Sequence, residues 1–492
     1  MQQPEPGNNP SPSRAPKSCL LCGLVMALWI AGCASSTTSS TSATPQQAPQ
    51  TYFAPVVTGS DTGVPQTYIF DDTGAAFSQE TFYLNLPEQV GPQVLNTGAF
   101  TVSPRGLRSL EISTTYIKNT TTNTFAPENH KPPEAGSFAV ELAGQDGGLV
   151  QMVGYPVQPL VAATQCPNFT SPQTYQFVTI PAPEDQTFLS GPPIQQQSGT
   201  WDPTTDTAYG SVDIISSGST VTFQNINQHT LSSGAPAQPG ASQVTGACGS
   251  TTLGYVTEIP AQYVVINPGI SANGPPQATV GIGASGLLVE DNGSSAGGTM
   301  ADTSPVISYE NVLGAGTGAV GLPLPPSTNP LSPSALAGAQ YFGFIYGAGQ
   351  TNASGSNVVP WSSNLASFGF SNVPSNCPPV GASTSTLCGG DFPVNPLTGL
   401  PDPGPNNTNN PNYPYGKYDF AIDLGPASTS SNGGLYTQAI VYVLAGYAGN
   451  KTTYSFHAVA IAGRLNGKYA IFLIGMDPTS TQPWAIYLLQ SN

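Results

Sequence analysis

Tyr454-Ser-Phe-His-Ala-Val-Ala-Ile-Ala462, Asn466-Gly467, Tyr469-Ala-Ile-Phe-Leu-Ile-Gly475, Asp477-Pro478 and Trp484-Ala-Ile-Tyr-Leu-Leu489 follow one another near the end of the chain. Three aromatic and β-branched runs are thus separated by two turn pairs. Asn-Gly tolerates the positive φ that a two-residue hairpin needs, and Asp-Pro starts a turn where no strand can continue. The stretch reads as a three-stranded antiparallel meander. Along the middle run Tyr469, Ile471 and Leu473 take one face and Phe472 and Ile474 the other, so neither face is polar. Strands of that kind are covered on both sides, as in a sandwich or in a barrel packed against a neighbour.

The same pattern continues upstream. Residues 334–492 form a C-terminal β domain, and the proline-rich stretch 323–333 is a linker, because so many prolines exclude a central strand. In 157–322, a second β-rich domain, Tyr209–Ile215 and Thr220–Ile226 join across Ser217-Gly218, and Ala278–Ile282 with Leu287–Glu290 repeat the plan. Residues 51–156 carry Thr67-Tyr-Ile-Phe70 and Thr81-Phe-Tyr-Leu84 between turn residues, a third β-rich region. Gly136-Ser-Phe-Ala-Val140 resembles Gly467-Lys-Tyr-Ala-Ile471, and Gly338, Tyr341 and Gly347 echo both. No segment shows the 3.6-residue period of a sizeable helix. The expected fold is all-β and helix-poor: tethered sandwich or barrel-like domains built from antiparallel hairpins and meanders.

Composition agrees with a folded, turn-rich chain. It has 55 Gly and 50 Pro and only 7% charged residues, but 38% are hydrophobic. Ten Lys and Arg face 26 Asp and Glu, and no basic residue occurs between Lys131 and Lys417. Nucleic acid and polybasic lipid contacts both need Lys or Arg, so this balance excludes them. The acidic residues of the interval, such as Asp202, Asp206, Asp213, Glu290 and Asp391, keep an exported protein soluble or, alternatively, hold calcium at turns, although no EF-hand spacing is present.

At the other end Arg14 and Lys17 precede an apolar run from Cys19 to Ile30, too short to span a bilayer, which closes on Ile30-Ala31-Gly32-Cys33. This junction resembles the lipobox of bacterial lipoproteins: a branched apolar residue, a small residue, Gly or Ala, then Cys. The resemblance covers the signal region alone. It implies a signal peptide over 1–32, diacylglycerol and palmitate-type acylation at Cys33, and the lipid bilayer as partner. Ala34 stands where some members carry Asp for inner-membrane retention, which points to the outer membrane or cell surface. Residues 33–50 hold the lipidated Cys and a Ser/Thr/Gln tether that cannot form a core.

Cys19 and Cys22 leave with such a signal, and Cys33 is its lipid site. The four others, Cys166, Cys248, Cys377 and Cys388, are even in number, as disulfides in an exported chain require. Nearest-neighbour pairing joins Cys166 to Cys248 and Cys377 to Cys388. Zinc would favour Cys-x-x-Cys spacing, which those four lack, so no metal and no cofactor is expected.

Catalytic motifs are weak. Gly293-Ser-Ser-Ala-Gly297 fits a nucleophile elbow only if a strand precedes it and a helix follows, and no helix is foreseen there. Gly446 to Lys451 fails as a phosphate loop because Asn450 separates Gly449 from Lys451. His130, His229 and His457 lie far apart in sequence, and each reads as structural. Asp419 and Asp423 share a strand face but are separated by roughly 13 Å, too far for a glycosidase pair. The catalytic residues are therefore unknown. The expected role is non-catalytic, structural or adhesive, at a membrane surface. The alternatives are a small-molecule or glycan binder and a hydrolase whose acid site assembles across strands.

The charge map makes one direct prediction. Trypsin cuts poorly at Lys131-Pro132, so complete digestion of the reduced, unfolded chain should leave Asn119 to Lys417 as a single fragment by mass spectrometry. With metals chelated, this fragment should not bind DNA or heparin in a salt-sensitive way; such binding would overturn the exclusion of polyanions.

Overall fold

The computed structural model describes residues 50–55, 65–71, 73–81, 94–102, 107–119, 121–127, 137–141, 147–151, 158–162, 166–180, 204, 206–231, 243–248, 263–266, 278–283, 285–291, 313, 318–347, 364–369, 385–390, 420–445, 452–477 and 482–490. The described fold is all-β, and its strands fall into three successive groups.

The first group comprises β1 (Gln50–Pro55), β2 (Pro65–Asp71), β3 (Ala76–Thr81), β4 (Val94–Val102), β5 (Leu107–Asn119), β6 (Thr124–Pro127), β7 (Ser137–Glu141), β8 (Gly147–Gln151) and β9 (Gln158–Ala162). They form one sheet in the order β4-β3-β2-β1-β9-β8-β7-β5-β6, and a further pairing of β4 with β5 brings the sheet round on itself. Eight strands complete a circuit, and β6 hangs from β5 outside it. The second group is a closed barrel of β10 (Gln173–Thr179), β11 (Tyr209–Ser217), β12 (Thr220–His229), β13 (Gln243–Cys248), β14 (Tyr263–Ile266), β15 (Ala278–Ile282), β16 (Leu288–Asp291) and β17 (Gly318–Pro323). The third closes β18 (Gln340–Gly347), β19 (Asn364–Gly369), β20 (Thr386–Gly390), β21 (Phe420–Asp423), β22 (Leu435–Ala445), β23 (Thr452–Leu465), β24 (Lys468–Asp477) and β25 (Gln482–Gln490). In all three, sequential strands are antiparallel neighbours, save that β7 follows β6 in the chain but pairs with β5, and the first strand pairs with the last.

The meander read from the sequence is β23, β24 and β25. Asn466 and Gly467 have φ of 49° and 79°, the positive values that a tight two-residue hairpin requires. The resembling segments occupy different places: β7 is the sixth strand around the first circuit, β24 the seventh and β18 the first of the third. Their likeness therefore follows hairpin chemistry rather than a repeated ring order.

The two faces of the meander are both buried for a physical reason. Ile471, Leu473, Ala458, Ala460, Ile486 and Leu488 point into the third ring's core. Phe472, Ile474, Val459, Ile461, Tyr487 and Leu489 point outward, yet pack against Val178, Val289, Val320 and Leu322 on the outside of the second ring. The two barrels are thus joined by a dry seam, and each large side chain removed from water there contributes roughly 1.5–3 kcal/mol. Gly463 lets β23 come close to β17: a Cβ at that position would stand 2.9 Å from Cβ of Leu322.

The linker is held along its length. Asn432 Nδ2 donates to the Pro325 carbonyl at 2.8 Å, and Arg464 donates twice to Asn329, at 2.9 and 3.1 Å. It ends in α1 (Pro333–Ala337), capped by Ser332, whose Oγ accepts from Ala335 N at 3.2 Å. Leu336 and Ala337 of this one-turn helix sit in the third ring's core.

The seam makes two predictions of opposite sign. Phe472→Ala removes a fully buried ring and should cost about 3–5 kcal/mol in urea unfolding. Gln176 is buried at the seam beside Gly434, and its Oε1 has no hydrogen-bond partner. Gln176→Met keeps the volume, removes that acceptor, and should gain about 1 kcal/mol. A Phe472→Ala chain as stable as the parent would show that the seam does not hold the barrels together.

Candidate functional site

The second ring is stoppered at both ends. At one end Cys166 and Phe169 pack on the interior cluster of Tyr175, Phe177, Val212, Phe223 and Val264. That arm is fixed by the Cys166–Cys248 disulfide, whose Cα atoms are 5.8 Å apart, and by Ser216 N donating to the Phe169 carbonyl at 2.9 Å. At the other end Leu313 inserts its side chain into the same cluster. Its main chain is gripped from two strands. Gln228 Nε2 of β12 donates to its carbonyl at 2.6 Å, and its N–H donates to Glu290 Oε1 of β16 at 3.1 Å. Glu290 is fully buried. A buried carboxylate used this way is a clamp on the peptide group, one answer to the cost of leaving main-chain polar groups unmet.

Two phenols stand in the largely aliphatic core of the third ring. Tyr341 and Tyr436 are buried in its core, and the Tyr341 hydroxyl donates to the Leu336 carbonyl at 2.7 Å. Burial raises the Tyr436 phenol above its ordinary value; burial first, then the neighbouring Tyr469 and Tyr436 phenols, raise Tyr341. A folded-state pKa above the unfolded value leaves stability intact below about pH 10 and erodes it as pH climbs further.

The first circuit is aromatic at one end and polar at the other. Tyr68, Phe70, Phe77 and Phe100 are buried, with Phe70 and Phe100 edge-to-face at 5.5 Å. Arg108, also buried, lies over both rings, 4.7 Å from the centroid of Phe70 and 5.3 Å from that of Phe100. Further along, Asn96 Nδ2 donates to Gln79 Oε1, and Thr115 donates to Asn96 Oδ1 at 2.6 Å.

The residues singled out from the sequence are dispersed. Cys33, Cys377, His130, Asp419, Asp202, Asp391, the Gly293–Gly297 segment and Gly446–Lys451 lie outside the described residues. Cys388 is disulfide-bonded. His229 stacks on Tyr209 at 5.1 Å, whereas the exposed His457 bridges to the Thr437 carbonyl across the β22 bulge at 2.8 Å. Several carboxylates are engaged by hydrogen-bond donors. Asp213 accepts from Thr174 at 2.6 Å and Asn225 at 2.7 Å, and Asp423 from Ser385 at 2.7 Å and Gly425 N at 3.1 Å. Among the described residues no three His, Cys, Asp or Glu gather as a metal site. Sequence reading missed Gln228, Leu313 and Arg108. Only Arg108 carried a signal, as a rare basic residue alternating with Leu110 and Ile112.

No protein-family model matches the chain, and no curated protein matches its sequence. Among solved structures, two mutants of transferrin binding protein B from Haemophilus parasuis Hp5 align over 91% of this chain and 76% and 77% of theirs, at 6% and 7% identity and a TM-score of 0.20. Isotype 1 transferrin binding protein B from serogroup B Neisseria meningitidis aligns over 87% of this chain and 66% of its own, at 9% identity and a TM-score of 0.21. Likeness at that level identifies neither a shared family nor a shared ligand.

The stoppered barrel sets a testable cost. Closing a loop with an 82-residue separation stabilises by roughly 4–5 kcal/mol in the chain-entropy model. A chain with Cys166→Ala and Cys248→Ala should lose up to that amount in urea unfolding. Free thiols, or a crossed connectivity in unreduced peptide maps, would refute the pairing of Cys166 with Cys248 and of Cys377 with Cys388.

Proposed function

We propose that the chain is an exported lipoprotein, held on the outer membrane by acyl chains on Cys33, whose β rings act as a rigid, non-catalytic surface body in a structural or adhesive role. The observation that carries the non-catalytic part is the packing of the rings. The interiors of the second and third are occupied by their own side chains, Phe177 and Phe223 in one and Tyr341, Tyr436 and Leu473 in the other. A ligand would therefore meet the outer surface rather than a bore. The strands β11 and β12 also turn Val212, Ile214, Val221 and Phe223 inward while Asp213, paired with Thr174 and Asn225, faces out. A membrane pore has the reverse arrangement, apolar outside and polar within.

The anchor follows from the lipobox. Each buried methylene contributes about 0.8 kcal/mol, so two or three acyl chains hold a protein that needs no apolar patch of its own. Cys33→Ala should abolish incorporation of labelled palmitate and move the chain from the membrane pellet to the soluble fraction. Label or stable pelleting retained by the variant would defeat the anchor. Cells carrying the wild-type chain should attach to coated surfaces, or withstand envelope stress, better than cells carrying the variant; equal behaviour in both assays would remove the structural or adhesive role.

A further inference from the structure

Closure of the three circuits removes free strand edges almost everywhere. Among the described strands, β6 alone has a neighbour on one side only. It pairs with the far end of β5, Lys118 opposite Phe125 and Ile117 opposite Ala126, and all four of its residues are exposed. An edge strand presents main-chain donors and acceptors ready to pair with another chain.

The hairpin that carries this edge is built, not frayed. Asn119 Oδ1 accepts from Thr121 N at 2.9 Å and from Thr122 N at 3.0 Å, Asn123 N donates to the Asn119 carbonyl at 2.8 Å, and Asn123 takes a φ of 55°. It also exposes apolar surface. Ile117 is 45% and Phe125 36% exposed, two of the three large hydrophobic residues that stand out in this way among the described residues. Because directly opposed residues share a face, Phe125 lies beside Lys118 on one face while Ile117 lies on the other.

Charge selects the occupant. The chain carries a net charge of −16, yet from Ile112 to Pro127 there is no Asp or Glu and a single Lys118. Two copies of a strongly acidic protein repel over most of their surfaces, but can meet along β6, whose own four residues carry no carboxylate. We propose that β6 is a self-association edge: two copies pair their β6 strands antiparallel about a two-fold axis, extending the first circuit's β5–β6 hairpin into a four-stranded ribbon. An isologous contact of this kind uses the same patch on both partners. Pro127, which has no N–H, limits the ribbon's length, and the pairing consumes the one free edge among the described strands, so assembly stops at two.

The test uses the full chain in two steps. With p-benzoylphenylalanine in place of Phe125 and two different epitope tags on co-expressed copies, irradiation should give a covalent species of twice the chain mass carrying both tags. In density-matched detergent, sedimentation equilibrium should show a dimer for the parent, with Phe125→Glu and Phe125→Lys each weakening association at least tenfold and a mixture of the two recovering it. Unchanged thermal unfolding of both variants would show that the circuit itself is intact. A monomeric parent, a cross-link to any other protein, or failure of the mixed variants to recover pairing would overturn the proposal.

Discussion

Backbone hydrogen bonding between the first and last strand of each circuit is the constraint on which the rest depends. A chain with 7% charged residues has few Lys or Glu with which to guard sheet edges. Closure is the remedy that needs no charge at all. β1 meets β9, β10 meets β17 and β18 meets β25, so the apolar runs that would otherwise invite aggregation become the linings of sealed cores. The same economy explains the many glycines and prolines, since the eight strands of each ring require seven reversals of the chain.

Closure alone would leave separate bodies. The seam between the second and third rings makes them one, because Phe472, Ile474 and Tyr487 on one barrel and Val320 and Leu322 on the other are apolar on their outer sides. Glycine sets the distance of approach at Gly463, and Arg464, the next residue, fastens the linker through Asn329. A protein that ordinarily avoids charge uses one of its few guanidinium groups to fix the path between rings; another, Arg108, lies over aromatic faces inside the first circuit, where the cation is attracted to the π surface.

Much of the local fold could be read from the sequence because its signals are local. Asn466-Gly467 announced a hairpin, alternation announced strands, and the two-sided apolarity of Tyr469–Gly475 announced cover on both faces. What could not be read depends on residues far apart. Tyr341 pairs with Gln490, the far end of the third ring's sequence, and nothing local marks the two as partners. Leu313 sits between Val312 and Gly314 in an unremarkable run, and becomes a stopper only because β12 and β16 bring Gln228 and Glu290 to its peptide groups. In one dimension Asp213 read as a solubilising charge or a calcium ligand and Asp423 as half of a carboxylate pair; in three, both are met by hydroxyl and amide donors.

The even number of strands has a consequence for how such a chain can change. An up-and-down circuit of eight strands returns the polypeptide to the end at which it began: Leu324, just past β17, donates its N–H to Thr174 at the start of β10 at 2.8 Å. Neighbouring strands are about 5 Å apart, so the chain enters and leaves each ring through almost the same point. A ring is then a cassette. One could be lost, doubled or exchanged by recombination with its flanking connections left nearly where they were, and the protein would grow or shrink in whole-ring steps.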